Sequence, residues 1–190
     1  MDKITLFTGK QESTMKYHWI PNTFSLLVSR VDLDKTEVVV IDERIEKENT
    51  LNLIDKHVPS SIFFGISSST GFHLGRAIET AEYVKSRFPQ IPIVWGGAHV
   101  TALIEESLKE DFVDVVVAGR GDDYFPRLIE GMKNKNLNGI PGIYWDKDGS
   151  ITGSPNEGFS DLNLTPAWPY KILKIEDYIN PKTKAINMTT

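Results

Sequence analysis

The chain has 190 residues, of which 40% are hydrophobic and 25% are charged, a composition typical of a soluble globular protein with one ordinary domain and an appendage. Its net charge of −5, its scattered Lys and Arg residues and its lack of long apolar runs predict no nucleic-acid partner and no membrane segment. There is no cysteine and the four histidines lack metal-ligand spacing, which excludes disulfides and thiolate chemistry and predicts no metal site built from side chains alone.

Strand-like and helical patterns alternate from the first residues. The chain enters a strand pattern directly, without a secretory signal, so we expect a cytoplasmic protein. Short apolar runs predict five strands, at residues 4–8, 37–41, 61–67, 91–95 and 114–118. Apolar residues at helical spacing predict helices at residues 22–32, 45–56, 72–88, 101–110 and 122–132. This alternation predicts a three-layer α/β sandwich around a five-stranded parallel Rossmann/flavodoxin-like sheet, with strand order 2-1-3-4-5.

The pattern changes after residue 133. A polar linker is followed by a strand pattern at 140–145 and by a turn at 146–149, Asp-Lys-Asp-Gly, which predicts a β-hairpin returning over 150–153. An extended segment containing three prolines follows, and then a short amphipathic piece around residues 170–178. We therefore divide the chain into an α/β domain at 1–133 and a hairpin with an extended bridge at 134–190.

Two glycine turns follow directly on predicted buried strands. Gly96 and Gly97 end the fourth strand, and Gly119 and Gly121 end the fifth. Glycines let backbone N–H groups approach a ligand closely, and the N-terminus of a following helix favours anionic groups such as phosphate. The pair of turns therefore indicates a phosphate-bearing cofactor along one edge of the sheet.

The third predicted strand ends in a hydroxyl-rich loop, Ser-Ser-Ser-Thr-Gly at residues 67–71. One helix cap needs a single hydroxyl, whereas this loop offers four. Because the carboxyl ends of parallel strands meet at one edge of a sheet, the loop and the glycine turns together predict a ligand cleft. The alternative interpretation is ordinary turn and cap chemistry, with Thr101 and Asp122 as the capping residues.

Other ligand-binding α/β classes fit the residues less well. A phosphoacceptor receiver domain needs an aspartate at the end of its third strand, where this chain has Ser67. A dinucleotide-binding fold needs Gly-x-Gly-x-x-Gly after its first strand, whereas Gly119 and Gly121 follow the fifth and lack the third glycine. A Walker loop is absent. A flavodoxin cradles phosphate after its first strand, where residues 8–14 are suitable in type but weak in pattern.

The order of these motifs resembles the N-terminal cobalamin (B12)-binding domain of cobalamin-dependent radical SAM proteins. The similarity rests on Gly-Ile-Ser-x-x-Thr at 65–70, Trp-Gly-Gly-x-His-x-Thr at 95–101, Gly-x-Gly-Asp at 119–122, Ile-Pro-Gly-Ile-Tyr at 140–144 and Asp-Leu-Asn-Leu-x-Pro at 161–166. It covers nearly the whole chain, and it implies cobalamin on the carboxyl edge of the sheet with its nucleotide tail reaching into the domain. The cofactor-binding residues that it implies are Ser67, Ser69, Thr70, Gly96, Gly97, His99, Thr101, Gly119, Arg120, Gly121 and Asp122.

The resemblance also bears on how cobalt is held. The chain lacks the Asp-x-His-x-x-Gly motif that follows the first strand in the cobalamin domains of methionine synthase and the mutases. Cobalamin is therefore expected to bind base-off, without a histidine ligand from the protein. The loop at 9–21, with Tyr17, His18 and Trp19, is expected to cover the corrin face. Where the family often has Gly-Glu-Gly-Glu, Arg120 reverses one charge and Asp122 preserves another.

In this family, the residues that follow the position of Thr190 carry the cysteine triplet that ligates a 4Fe-4S cluster. We therefore expect the chain to be a cobalamin module truncated before a radical SAM domain, and not a catalyst alone. With the cluster and S-adenosylmethionine, the longer parent would carry out a methyl transfer or a related radical reaction. The alternatives are a docking domain of a radical SAM enzyme that binds no cobalamin, and a flavodoxin-like flavin carrier.

Overall fold

Seven strands form one mixed sheet in the part of the chain that the structure describes. The structure is a computed structural model and describes residues 1–10, 19–156, 163 and 166–186. The strands are β1 (Asp2–Thr8), β2 (Thr36–Asp42), β3 (Phe64–Ser67), β4 (Ile93–Gly96), β5 (Val115–Val117), β6 (Ile143–Lys147) and β7 (Ser150–Gly153). Their order is β2-β1-β3-β4-β5-β6-β7, and the first five are parallel to one another. The predicted parallel order 2-1-3-4-5 is confirmed.

The prediction that the sheet has only five strands is wrong, because the predicted hairpin extends the same sheet. β6 pairs antiparallel with β5, with Val116 opposite Tyr144, and β7 pairs antiparallel with β6. Without the hairpin, the outer edge of β5 would leave backbone N–H and C=O groups without partners. Ile143 is 1% exposed and belongs to the same core as Val115 and Val117. The division of the chain at residue 133 stays a prediction.

Seven helices connect the strands among the described residues. They are α1 (Asn22–Leu27), α2 (Glu43–Glu46), α3 (Thr50–His57), α4 (Phe72–Arg87), α5 (Ala98–Ala102), α6 (Ile104–Leu108) and α7 (Phe125–Asn134), with short 3-10 helices at Lys47–Asn49, Val58–Ser60, Tyr170–Ile172 and Ile175–Tyr178. Two predicted helices are interrupted: Lys47, with φ of 50°, separates α2 from α3, and Leu103, with φ of −134°, separates α5 from α6. No helix in the described ranges is long and apolar enough to cross a bilayer.

Helices cover both faces of the sheet, as a three-layer arrangement requires. Successive side chains of a strand point to opposite faces, so the neighbours Phe7 and Leu6 enter different cores. Phe7 shares its core with residues of α3, α4, α5 and α6, such as Ile54. Leu6 shares its core with α1 and α7, through Phe24 and Leu128. Burial on both faces explains why the strands are almost continuously apolar.

Residues 166–186 lie against β2, at the opposite edge of the sheet from β7. The Tyr178 hydroxyl donates a hydrogen bond to Asp42 Oδ2 at 2.8 Å. Lys174 and Glu46 form an ion pair at 2.7 Å, and Leu173 packs in a small apolar cluster with Tyr178. The chain therefore crosses from one edge of the sheet to the other after β7.

Candidate functional site

A cavity of about 190 Å³ lies at the carboxyl ends of β1, β3, β4 and β5, between the sheet and the helices α1 and α7. The side chains of its apolar wall are Leu6, Phe63, Val94 and Val117 from the sheet side and Phe24, Leu27 and Phe125 from the helices. Its remaining lining comes from Thr23 and Leu26 of α1, from β3 and from the two glycine turns. An apolar cavity with a few polar groups at this edge is the usual ligand site of an open α/β sheet.

Two glycines keep space open around this cavity. A Cβ atom on Gly65 in β3 would lie 2.7 Å from Leu6 Cδ2. A Cβ atom on Gly121 would lie 2.9 Å from Val117 Cγ1 and 3.1 Å from Leu27 Cδ1. Since these neighbours all line the cavity, a larger residue at either position would push into it. The turn after β5 is thus a cradle that a side chain would fill.

The first glycine turn lies unusually close to the serine loop. Gly97 has φ of 110°, and a Cβ atom there would lie 2.1 Å from the carbonyl oxygen of Ser68. The ring N–H of Trp95 donates a hydrogen bond to the Ser68 hydroxyl at 2.7 Å. One of the four hydroxyls of the loop therefore holds β3 and β4 together, and Gly97 is required by the close approach of the backbone.

The Thr101 hydroxyl connects the two glycine turns. It donates to the carbonyl of Gly97 at 2.8 Å and accepts from the backbone N–H of Gly119 at 2.9 Å. The alternative interpretation of Thr101 as a helix cap is wrong, because α5 begins at Ala98 with Gly97 in the N-cap position. A hydroxyl inside the first turns of a helix can bond the carbonyl four residues back, which leaves its lone pair for the neighbouring turn.

The second glycine turn carries an ion pair between a half-exposed arginine and a buried aspartate. Arg120 Nε and Nη2 donate to the two carboxylate oxygens of Asp122, at 3.0 Å and 2.7 Å. The Asp122 side chain is 2% exposed, and its hydrogen bonds raise the pKa of the Arg120 guanidinium above its ordinary value. The alternative interpretation of Asp122 as the cap of the following helix is wrong, because α7 begins at Phe125 with Tyr124 in the N-cap position. The charge that Arg120 brings is neutralised within the turn.

Seven of the eleven predicted site residues line the cavity and four do not. The residues that line the cavity are Ser67, Gly96, Gly97, Gly119, Arg120, Gly121 and Asp122. Thr101 supports their turns, as described above. Thr70 and His99 do not line the cavity but contact each other, with Thr70 Oγ1 and His99 Nδ1 3.3 Å apart. His99 lines a second cavity, of about 220 Å³, together with residues of α4 and α6. Ser69 is exposed and lines neither.

Several cavity residues were not predicted. Thr23, Phe24 and Leu27 come from α1, and their sequence pattern is that of an ordinary amphipathic helix facing a core. Gly65 had a usable signal, since a glycine inside an apolar strand often marks a close approach. The aromatic residues of the wall had no such signal in the sequence, because an aromatic side chain that lines a cavity has the same sequence pattern as one that fills a core.

The loop after β1 is described only at its two ends. Residues 11–18 lie outside the described ranges, so the expected covering of a corrin face by Tyr17 and His18 stays a prediction. Trp19 is 38% exposed, and its carbonyl accepts a hydrogen bond from Arg44 at 3.1 Å. His73 donates from Nδ1 to the carbonyl of Gly9 at 3.2 Å. Among the described residues no group of His, Asp or Glu side chains could hold a metal ion.

Fold and cavity together define a class of protein: an open α/β sheet with an apolar ligand site at the carboxyl ends of its parallel strands. Residues 13–129 match the family model described as the B12 binding domain. The match covers more than half of the chain, and the protein therefore belongs to the B12-binding domain family. The resemblance seen in the sequence is thereby confirmed, and the match supports a cobalamin-binding role.

Solved structures of two cobalamin enzymes share this fold. One is the radical S-adenosylmethionine methyltransferase TsrM from Kitasatospora setae, solved with cobalamin and a 4Fe-4S cluster, with a TM-score of 0.65 and 16% identity over 89% of this chain and 32% of that chain. The other is the cobalamin-dependent S-adenosylmethionine radical enzyme OxsB, solved with aqua-cobalamin and S-adenosylmethionine, with a TM-score of 0.67 and 18% identity over 84% of this chain and 23% of that chain. This chain thus spans a third or less of their length. No curated protein sequence matches it.

Proposed function

We propose that this chain is a cofactor-binding module that holds cobalamin for a radical SAM enzyme. The observation that carries the proposal is the apolar cavity of about 190 Å³ at the carboxyl edge of the sheet, in a chain that matches the B12 binding domain model. Cobalamin is a corrin ring with a nucleotide tail, and the tail consists of a phosphodiester, a ribose and a planar apolar base. The base on one hand, and the ribose and phosphodiester on the other, each have a matching surface in the site.

The base suits the apolar wall of the cavity. Three aromatic side chains, Phe24, Phe63 and Phe125, stand in that wall, and planar ligands gain both burial and ring contacts from such neighbours. The absence of a Cβ at Gly121 leaves room above Val117. A base that occupies this cavity cannot also coordinate cobalt at the corrin, which is the basis for proposing base-off binding.

The sugar and phosphate suit the glycine turns. The turns at 96–97 and 119–121 present backbone rather than side chains at the strand ends, and a charged phosphodiester can approach backbone N–H groups there. The Arg120 guanidinium is paired with Asp122 on one side and is 39% exposed. The guanidinium lines the cavity and is held in position by Asp122, so its remaining N–H groups can donate to an anionic oxygen.

Bound cobalamin supplies a cobalt centre that can carry a methyl group. The residues of this chain bind and orient the cofactor and exclude water from its tail. We propose that the 4Fe-4S cluster and S-adenosylmethionine belong to a radical SAM domain beyond these residues, and that the complete enzyme carries out a methyl transfer or a related radical reaction. The fold shared with TsrM and OxsB, both much longer chains, supports this assignment.

A titration of the purified chain with hydroxocobalamin tests the proposal. Binding is expected to change the visible spectrum of the corrin and to raise the unfolding temperature, since a ligand at 100 times its Kd stabilises the folded state by about 2.7 kcal/mol. Cobinamide, which lacks the nucleotide, is the matched control and is expected to bind more weakly. No spectral change and no stabilisation with either corrinoid would count against a cobalamin module.

The same titration addresses the two alternatives. A docking domain without cofactor would have its cleft filled by its own side chains, such as Trp95 or Arg120. Trp95 points into the core on the other face and bonds to Ser68, whereas Arg120 lines the cavity and is paired with Asp122. A flavin carrier would bind flavin mononucleotide in place of cobalamin, using the loop at 8–14. Flavin mononucleotide should therefore be titrated in parallel, and tight binding of it alone would favour the flavin carrier.

A further inference from the structure

The segment that follows β7 meets the second glycine turn from outside the cavity. Asn156 Nδ2 donates a hydrogen bond to the backbone carbonyl of Arg120. The same amide group lies 3.7 Å from the position that a Cβ atom on Gly119 would occupy. Asn156 does not line the cavity itself. It therefore contacts the back of the turn whose front forms the cavity.

Backbone hydrogen bonds place Asn156 there. The N–H of Ala118 donates to the carbonyl of Gly142 at 2.8 Å, and the N–H of Gly142 donates to the carbonyl of Ser154 at 2.7 Å. Gly142 has φ of 74°, and a Cβ atom on it would lie 2.8 Å from the Ala118 carbonyl oxygen. Three chain segments thus lie side by side: the end of β5, the residues before β6 and the residues after β7. The third of these segments carries Asn156.

The turn needs such support because it is rich in glycine. Glycine populates many backbone conformations, so a turn with two glycines loses more entropy on ordering than one without. Three hydrogen-bonded contacts that involve side chains restrain it. The Gly119 N–H donates to Thr101, the Arg120 side chain donates to Asp122, and the Arg120 carbonyl accepts from Asn156. The first two come from within the parallel α/β unit, whereas the third comes from beyond the hairpin.

We propose that Asn156 is a positioning residue for the cofactor site: it orders the turn at 119–121 before the nucleotide tail binds. The inference rests on the proposed function, because it assigns the purpose of the ordering to cobalamin. It makes the segment that leaves the sheet part of the site, although that segment touches no ligand. A preordered turn loses less entropy when the ligand binds, so affinity rises without a new contact.

Three variants and two measurements test this. Asn156→Ala removes the amide, and Asn156→Asp keeps the shape but replaces the donor with an oxygen that faces the Arg120 carbonyl. Asn52→Ala, at an exposed position of α3, is the control. Hydrogen exchange of the peptide covering residues 118–124 is measured without ligand, and dissociation constants are measured for hydroxocobalamin and cobinamide.

Both Asn156 variants are expected to speed exchange of residues 118–124 and to weaken hydroxocobalamin binding by about 3- to 10-fold, the range of one net hydrogen bond. Cobinamide affinity should stay within about 2-fold, because it lacks the tail that meets the turn. Asn52→Ala should match the wild type. Unchanged exchange would overturn the inference, and so would equal losses for both corrinoids, since these indicate general destabilisation.

The failure of the proposed function gives a different pattern. If the wild-type chain binds neither corrinoid, the cobalamin assignment falls and the inference falls with it as a statement about cobalamin. Faster exchange at 118–124 in the Asn156 variants would then show only that Asn156 orders this wall of the cavity. If the wild type binds hydroxocobalamin and the variants bind it equally well, the cobalamin module stands and the positioning role of Asn156 is wrong.

Discussion

The Thr101 hydroxyl accepts a hydrogen bond from the backbone N–H of Gly119 at 2.9 Å, across two neighbouring strand ends. This bond fixes the distance between the two glycine turns that line the cavity. Because it joins a side chain on α5 to the backbone after β5, either turn can shift only if this bond changes. The two turns are therefore connected to each other directly, and not through a bound ligand.

Thr101→Val should loosen this edge. The substitution keeps the shape of the side chain but removes the hydroxyl, which leaves the Gly119 N–H without its partner. The free energy of unfolding should fall by about 1 kcal/mol, and hydroxocobalamin affinity should fall about 5-fold if the turn then moves. Urea unfolding and a visible titration measure the two effects. Thr101→Ser, which keeps the hydroxyl, should retain most of both; equal behaviour of the two variants would contradict the role of the bond.

Gly97→Ala should be far more damaging than Gly71→Ala. Both glycines have strongly positive φ, of 110° and 106°, so both substitutions share a backbone strain of about 1–3 kcal/mol. Only at Gly97 would the new Cβ collide with the Ser68 carbonyl, whereas nothing lies within 4 Å of a Cβ at Gly71. Urea unfolding should show an additional loss of about 1–3 kcal/mol for Gly97→Ala, or no folded protein. Equal losses of unfolding free energy in the two variants would mean that the loop at residues 67–71 can move away from the new Cβ without destabilising the fold.

Gly121→Val should block the cavity without straining the backbone, because Gly121 does not have a positive φ. The added atoms would press on Val117 and Leu27 and occupy the space proposed for the base. Hydroxocobalamin affinity should fall at least about 10-fold, a loss of about 1.4 kcal/mol. Gly75→Val is the matched control, since nothing lies within 4 Å of a Cβ there. Unchanged affinity in Gly121→Val would place the tail elsewhere.

Tyr178→Phe should test how the segment at 166–186 is held against β2. The variant loses the hydrogen bond to Asp42, which still accepts from Arg44, so the expected cost is about 1 kcal/mol near pH 8. Burial and the charge of Asp42 raise the pKa of Tyr178 well above its ordinary value of 10.0. Above about pH 10 the unfolded chain therefore ionises this tyrosine while the folded chain keeps it protonated, and the wild type loses stability as pH rises.

The difference in unfolding free energy between the wild type and Tyr178→Phe should thus shrink between pH 8 and pH 10.5. The upper value lies about half a pH unit above the pKa of a tyrosine in the unfolded chain. Urea unfolding of both proteins at the two pH values measures it, and the contribution of other tyrosines cancels in the difference. A constant difference across this range would contradict the raised pKa of Tyr178.

Much of the fold was predictable because local patterns and general rules agree. The five apolar runs and the helical periodicity between them predicted the parallel strands and their order, since right-handed crossovers leave few arrangements. Glycines after strand runs indicated one edge of the sheet, and most of the predicted residues line one cavity there. Ser69, Thr70 and His99 do not, because the loop after β3 turns toward the other face, where Thr70 and His99 contact each other.

The sequence by itself determined which residues are apolar, where glycine frees the backbone, and the family to which the chain belongs. Only the tertiary structure decided that α1 supplies one wall of the cavity and that the hairpin completes the sheet at β5. It also decided that Thr101 bonds to the neighbouring turn and Asp122 to Arg120 in its own turn, instead of capping helices. The physical reason is that a polar side chain bonds to whichever partner packing brings within about 3 Å. Asn156 and Arg120 are 36 residues apart in the chain, and the pairing of β5, β6 and β7 brings the Asn156 amide to the Arg120 carbonyl.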